Sequence, residues 1–451
     1  MSDLSFEQAP PLSTTFRFFL TAPLFGVAAG VGLAWAGPEA LASRWSGATV
    51  ALLHLLTTGF MLQAMCGALM QFLPVAAGAP IALPRLVAGL AHPLMVAGSL
   101  LLASALAGAT VLLAPAAAVL GLGVAAFVAA AARALARTPS TDASLRSLRA
   151  AVAGLAATAA LGIVLALALQ GMVALHAPEF PDLVDVHAAW GLAGWATMLL
   201  VAVASTVVPM FQMTPRYPAW VTRAFAPLLL AALAAGSGLW AVQGTGSVPA
   251  LLPIFAIAAL GFVFAVVTLA LQRRRRRRLV DATVRFFRVA MLSLASAAVL
   301  WILRVVVPRY GAAAMPGWAE LSSIDVAIGL LVVVGGFGSA ICGMLYRIVP
   351  FIAWLNLPYR RGDAFVPPNV KQFIPAWSVD LQQRLHLLAL LLLMLGTVAA
   401  PVLARAAGAA LALSFAWLEG NLLAGLRIYR RSRARIDARV AAVSGAAAGR
   451  T

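Results

Sequence analysis

The sequence predicts an all-α polytopic membrane protein with about twelve transmembrane helices, arranged in three pseudo-symmetric four-helix units. Of its 451 residues, 63% are hydrophobic and only 10% are charged, and the mean hydropathy is +0.97. A soluble chain carries about a quarter charged residues. Apolar runs of about 20 residues recur along the chain, and each can cross a bilayer because a helix satisfies its own backbone hydrogen bonds.

A motif that occurs in three of these runs indicates an internal repeat. The first copy is His54 to Pro74, HLLTTGFMLQAMCGALMQFLP. In each copy a glycine lies 15 residues before a proline, and the three pairs are Gly59 with Pro74, Gly194 with Pro209, and Gly335 with Pro350. The pattern CGxLxxxxP is repeated at 66–74 and 342–350. We therefore interpret the chain as three copies of one unit, each built around its second helix.

The predicted spans belong to a single transmembrane domain, 1–451. Their limits are 17–36, 47–75, 84–108, 110–133, 149–175, 184–212, 222–243, 248–271, 286–307, 323–355, 384–404 and 407–426. The predicted repeat units are 17–137, 149–278 and 286–430, followed by a basic cytoplasmic tail, 431–451. Spans 2, 6 and 10 carry the motif and most of the polar and sulfur-bearing residues, so we expect them to line the interior. An RFF tripeptide, at 17–19 and 285–287, opens the first span of units one and three.

The placement of arginine predicts that both termini are cytoplasmic. Basic clusters follow spans 4, 8, 10 and 12, whereas the opposite side carries mainly acidic residues. The net charge of +18 then reflects orientation and attraction to anionic lipid rather than nucleic acid. We interpret the six arginines at 273–278 as a topology anchor, with a segment that binds a partner or nucleic acid as the alternative. The N-terminus carries acids and no leading basic region, so we expect an uncleaved first helix.

Five histidines are the first candidates for a binding site. His54 and His187 lie near the external ends of spans 2 and 6. Each could ligate haem iron, copper or zinc, or could simply bridge two helices through one hydrogen bond. They are two residues out of register in the repeat, so we do not expect symmetry copies of one ligand. His92 and His386, which open spans 3 and 11, are further candidates, and His176 is expected in a solvated loop.

Sulfur-bearing side chains form a second candidate set. Met61 and Met65 are four residues apart on one face of span 2, and thioethers suit Cu(I). Cys66 and Cys342 occupy matching positions of the repeat. The alternative is structural, because methionine fills gaps in apolar cores and cysteine is a small residue at a helix crossing. Since both cysteines lie in apolar runs, no disulfide scaffold is expected.

Few ionisable residues lie inside the spans. Glu419 in span 12 is a candidate for a proton relay or a counter-ion, and Arg347 lies towards the inner end of span 10, where snorkelling could also explain it. The sequence contains no Walker loop, dinucleotide fingerprint, CxxCH or zinc hydrolase motif. No catalytic residue is therefore assigned.

Twelve spans in three arcs, with a histidine near the outer end of span 2, resemble the catalytic subunit of the haem-copper oxidases. The resemblance includes its relatives, the NnrS-type haem- and copper-containing proteins linked to nitric oxide stress. HLLTTGF with GALMQFLP, and HAAWGLAGW with VVPMFQMTP, look like a bacterial branch often labelled permeases. The resemblance implies an inner-membrane location and places His54 where oxidases ligate low-spin haem. His187 lies on the helix that supplies a copper ligand there.

The oxidase pattern is incomplete, because span 7 lacks the paired copper histidines and span 10 contains no histidine. Oxygen reduction by the oxidase mechanism is therefore not expected. Three functions stay open. The first is a protein that binds haem b or copper and works in nitric oxide response, metal handling or respiratory assembly, with respiratory-chain or assembly proteins as partners. The second is a permease for a small solute or metal ion, and the third is a structural or assembly subunit without a site.

Overall fold

The computed structural model confirms the all-α, polytopic fold class. It describes residues 6–139, 142–175, 179–243, 247–276, 281–310, 322–358 and 368–448. These residues form helices and contain no β-strand. Twelve of the described helices are long and apolar enough to cross a membrane. The chain is therefore an integral membrane protein whose spans are all helical.

The twelve helices are named α1 to α12 in chain order. They are α1 Leu12–Ala36, α2 Gly47–Ala76, α3 Pro84–Leu106, α4 Leu113–Ala136, α5 Ala143–Leu169, α6 Glu179–Gln212, α7 Ala219–Gln243, α8 Val248–Arg273, α9 Ala282–Tyr310, α10 Ser322–Leu355, α11 Ala376–Gly396 and α12 Ala400–Ala448.

The largest differences from the predicted limits are in the last two spans. Helix α11 ends at Gly396 rather than at 404, and α12 begins at Ala400 rather than at 407. The first two turns of α11 are polar, with Asp380, Gln382 and Gln383, so a hydropathy criterion moves the whole span towards the apolar residues that follow. Helix α12 continues without a break to Ala448, so the predicted tail is helical up to that residue.

Helices α2, α6 and α10 each contain a π-helical segment, in which the backbone hydrogen bonds reach one residue further than in an α-helix. The segments are Leu55–Met61, Trp190–Thr197 and Leu331–Gly338. Each contains the repeat glycine, Gly59, Gly194 or Gly335. Because π-helical segments are rare, their recurrence at one place in the motif indicates that the three helices are built alike. The limits of the repeat units stay a prediction.

The RFF tripeptides pack against the repeated Cys-Gly pairs. A methyl group at Gly67 would lie 2.8 Å from Cβ of Phe18, and one at Gly343 would lie 2.7 Å from Cβ of Phe286. The neighbouring Cys66 and Cys342 are fully buried. Small residues thus let the first helix of the unit approach the second closely. The two repeated motifs, CG and RFF, are therefore in contact with each other in the first and third predicted units.

Helix α4 packs against α5 and α8 against α9, which are the last and first helices of consecutive predicted units. The arrangement closes because α12 packs along α1. Two glycines allow this contact. A side chain at Gly30 would overlap the backbone of Ala412, and one at Gly408 would overlap the backbone of Ala34.

We expect Gly30→Val to force α1 and α12 apart. The free energy of unfolding should fall by about 2 kcal/mol, a typical cost of overpacking at a site where backbone cannot yield. The measurement is unfolding of the purified protein by SDS titration. Gly261→Val is the matched control because nothing lies within 4 Å of a methyl group at that position. Equal stability of the two variants would contradict the packing described.

Candidate functional site

His54 and His187 face each other at the end of the bundle where α2 and α6 begin. His54 is the residue immediately before the π-helical segment of α2, and His187 lies three residues before that of α6. Their ring centroids are 6.5 Å apart and the ring planes are inclined by 17°. The two histidines singled out from the sequence are therefore neighbours, although they are out of register in the repeat.

Both histidines are oriented by backbone carbonyls. Nδ1 of His54 lies 2.8 Å from the carbonyl oxygen of Val50, and Nδ1 of His187 lies 3.1 Å from that of Thr158. A carbonyl only accepts, so each Nδ1 carries the proton and donates it, and Nε2 of the neutral ring keeps its lone pair. Within the described residues neither Nε2 makes a hydrogen bond. This is the arrangement of histidines that ligate metals.

Helix α5 seats the ring of His187 through three small residues spaced four apart. A side chain at Gly154 would overlap the backbone of Gly194 on α6, so the two helices are in close contact there. The hydroxyl of Thr158 donates to Gly154 within α5, at 2.7 Å. A methyl group at Gly162 would lie 3.0 Å from Cε1 of His187. A side chain larger than that of glycine would therefore crowd the ring of His187. The spacing GxxxTxxxG is the sequence signal for this contact, and a choice of candidates by residue type alone does not find it.

Two ion pairs involve the beginnings of α2, α6 and α10. Arg44, just before α2, pairs with Asp185, two residues before His187. Arg304 on α9 pairs with Asp325 on α10, at 3.2 Å. Asp325 is also close enough to Asp185 to interact with it electrostatically. The first ion pair joins the beginning of α2 to α6 beside the histidine pair, and the second joins α9 to α10. Hydropathy alone could not indicate either pair.

His92 and His386 are held inside the fold instead. Nε2 of His92 lies 2.9 Å from the hydroxyl of Thr21, and its ring packs edge-on against Phe18. Nε2 of His386 lies 2.9 Å from the hydroxyl of Ser339, and its ring packs against Phe286. Each therefore already uses a ring nitrogen in a contact between helices, against the first phenylalanine of an RFF tripeptide. His176 lies outside the described residues.

The sulfur-bearing candidates lie deeper in the bundle. Met61 and Met65 are buried in the apolar core, as are Cys66 and Cys342. Met61 is seven residues beyond His54, which is about 10 Å along the helix. In the described part of the chain no three side chains of histidine, cysteine, aspartate or glutamate gather as metal ligands. The candidate centre is therefore a pair of histidines, and the role of the methionines as ligands stays a prediction.

The two ionisable candidates occupy different surroundings. Glu419 is buried on α12, and its Oε2 has no hydrogen-bond partner among the described residues. Asn421, two residues further, donates to the hydroxyl of Tyr346 at 2.9 Å. The guanidinium of Arg347 lies 5.4 Å from the ring centre of Phe211, so it links α10 to α6 through a cation–π contact.

The fold defines the class of this chain, an integral membrane protein whose described residues form twelve apolar helices with a histidine pair between two of them. No protein-family model matches the chain, and no curated protein matches it either.

The hydrogen bonds predict the tautomer of the two histidines. In protein labelled with ¹⁵N-histidine, His54 and His187 should both be neutral with the proton on Nδ1, because each Nδ1 faces a carbonyl oxygen. The measurement is the ¹⁵N chemical shifts of the rings at neutral pH, assigned with His54→Gln and His187→Gln. Signals of the Nε2–H tautomer for either residue would contradict the geometry.

Proposed function

We propose that this membrane protein has an oxidase subunit I-like architecture and binds haem b or copper through His54 and His187. Its role would be in nitric oxide response, metal handling or respiratory assembly. The observation that carries the proposal is the facing pair of imidazoles, each with Nδ1 anchored to a carbonyl and Nε2 without a partner. His92 and His386 differ from the pair in which nitrogen is engaged, because each uses Nε2 in a contact with a hydroxyl group.

The separation of the rings fits one metal ion held between them. Metal–nitrogen bonds of about 2 Å would bring the centroids of two imidazoles that share an ion to within about 6 Å of each other. The observed 6.5 Å is close to that value. Imidazole nitrogen is a ligand that both iron and copper accept. His54 and His187 would therefore be the residues that hold haem iron or copper, and the spectroscopic test below distinguishes the two.

The protein's own contribution is to hold and orient the two rings. The carbonyls of Val50 and Thr158 fix the tautomers, and Gly162 leaves room for the ring of His187. The pair of Arg44 with Asp185 ties the beginning of α2 to that of α6. Haem or copper, when bound, supplies electron transfer or the binding of a small gas. Helices α7 and α10 contain no histidine, so the oxidase ligand set is incomplete and we propose no oxygen reduction.

The first test is an absorption spectrum of the purified protein, oxidised and dithionite-reduced, with elemental analysis for iron and copper on the same sample. We expect a Soret band with iron, or copper without haem, that is lost in His54→Ala and in His187→Ala. Gly162→Val should lower occupancy about tenfold or more, since it displaces a ligand without removing it.

His92→Ala is the matched control, because it also removes a membrane histidine but one that is bonded to Thr21. Occupancy should be unchanged in that variant. A colourless, metal-free preparation from a host supplied with haem and copper would overturn the proposal. So would a chromophore that survives loss of both His54 and His187.

A second candidate function is a permease, and unpartnered polar atoms in the bundle favour it. Gln63 on α2 is completely buried, yet neither atom of its side-chain amide has a hydrogen-bond partner among the described residues. Nε2 of Gln212 on α6 and Oε2 of Glu419 on α12 are also buried without a hydrogen-bond partner among the described residues. In an apolar interior each such atom costs about 1–3 kcal/mol unless water or a polar solute bonds to it. These atoms support a polar path for a small solute.

Under this second proposal, Gln63→Leu abolishes flux of small solutes or copper ions into proteoliposomes. The same change should raise the free energy of unfolding by about 1–3 kcal/mol, because it removes two unpaired buried atoms. Gln243→Leu, at the exposed end of α7, is the control and should alter neither quantity. Flux that persists in Gln63→Leu, or wild-type flux no greater than that of empty liposomes, would contradict the permease.

A further inference from the structure

A basic cavity that is open to the surface lies where α1, α3 and α12 meet, at the end of the bundle where α1 begins and α12 leaves its apolar part. Its volume is ≈ 400 Å³. Arg17, Arg85, Arg430 and Arg433 line it, together with apolar side chains of α1 and α12, and no carboxylate lines it. These arginines come from three separate helices, unlike the continuous run at 273–278. Their convergence on one cavity is therefore not explained by topology alone.

An apolar cavity adjoins the basic one. Its volume is ≈ 370 Å³, and it shares Pro11 and Arg85 with its neighbour. The remaining lining residues are Leu83, Pro84 and Leu86, so everything but Arg85 is apolar. The two cavities together present a cationic compartment beside a hydrophobic one. A ligand that fills both must itself be amphiphilic.

Two of the four arginines have no partner in the described part of the chain. Arg17 is bonded to the carbonyls of Ser13 and Ala88, at 3.1 and 3.3 Å. Arg433 is bonded to the hydroxyl of Tyr429 at 3.1 Å and is 3.8 Å from Asp437. Arg85 and Arg430, in contrast, make no hydrogen bond or ion pair there. Their guanidinium groups are the donors left for a ligand.

Leu83 supplies an independent observation. It has φ 51° and ψ 52°, a left-handed conformation that leucine rarely adopts, and it is 69% exposed. The residue before a proline normally takes an extended conformation, so this position is strained twice. Strained residues of this kind concentrate at binding sites. In this conformation the side chain of Leu83 forms part of the wall of the second cavity.

We propose that the two cavities bind an anionic phospholipid. Arg85 and Arg430 hold the phosphodiester, since guanidinium groups donate two parallel hydrogen bonds to phosphate oxygens. The acyl chain lies along Leu83 and Leu86. Basic pockets between transmembrane helices are sites for anionic headgroups. Free inorganic phosphate would occupy only the basic cavity and would leave the apolar cavity empty. A phospholipid fills both cavities, so we choose the lipid as the occupant.

The test is native mass spectrometry of the full-length protein with added phosphatidylglycerol or phosphatidylcholine of the same acyl chains. We expect phosphatidylglycerol to bind at least tenfold more tightly, and Arg85→Gln/Arg430→Gln to lose that preference. Arg427→Gln/Arg431→Gln is the matched control, because it removes the same charge from exposed positions that do not line the cavity. It should keep the preference.

If both double variants lost the preference for phosphatidylglycerol equally, general surface charge would explain the binding. That result would overturn the proposed site. Equal binding of the two lipids by the wild type would overturn it as well, even if the Arg85 and Arg430 variant failed to fold. Inorganic phosphate is added at millimolar concentration as a third arm. Complete displacement of the lipid by phosphate would show a free-anion site and contradict the proposal, whereas retention of the lipid supports it.

Discussion

The backbone of α2, α6 and α10 must satisfy its hydrogen bonds within an apolar interior, although each helix contains both a π-helical segment and a proline. Threonine hydroxyls at these segments donate to carbonyls in the preceding turn, Thr57 to Leu53, Thr58 to His54, and Thr197 to Leu192. Glycines in the same helices accept aromatic side chains of their neighbours, as Gly59 does for Phe25. The first helix of the unit can pack closely only because the second is built in this way.

The histidine pair follows from the same construction. Both residues lie within one turn of a π-helical segment, where the backbone changes its winding and carbonyls are redirected. His54 bonds within its own helix, whereas His187 takes its acceptor from α5, which only the glycines at 154 and 162 bring close enough. One ring is thus oriented by local geometry and the other by helix packing.

Most of the fold could be predicted from the sequence, because apolar runs and the ungapped Gly-to-Pro spacing are strong signals in a membrane protein. The limits of α11 could not be predicted, because its first two turns are polar and a hydropathy criterion assigns such residues to a loop. The choice of His54 and His187 rested on residue type and span position. Their proximity could not be derived, because it depends on the rotation and depth of two helices that the sequence leaves undetermined. The pairing of Arg44 with Asp185 was hidden for the same reason.

The uninterrupted length of α12 has a mechanical consequence. Its 49 residues extend for about 73 Å, whereas the apolar layer of a bilayer is about 30 Å thick. The turns that follow the apolar part still pack against the bundle, because Tyr429 and Ile436 are buried. Beyond Ile436, about 18 Å of helix continues to Ala448 in the direction that this packing sets. A tilt of α12 against α1 therefore moves this segment as well, and a spectroscopic label placed there would report the motion.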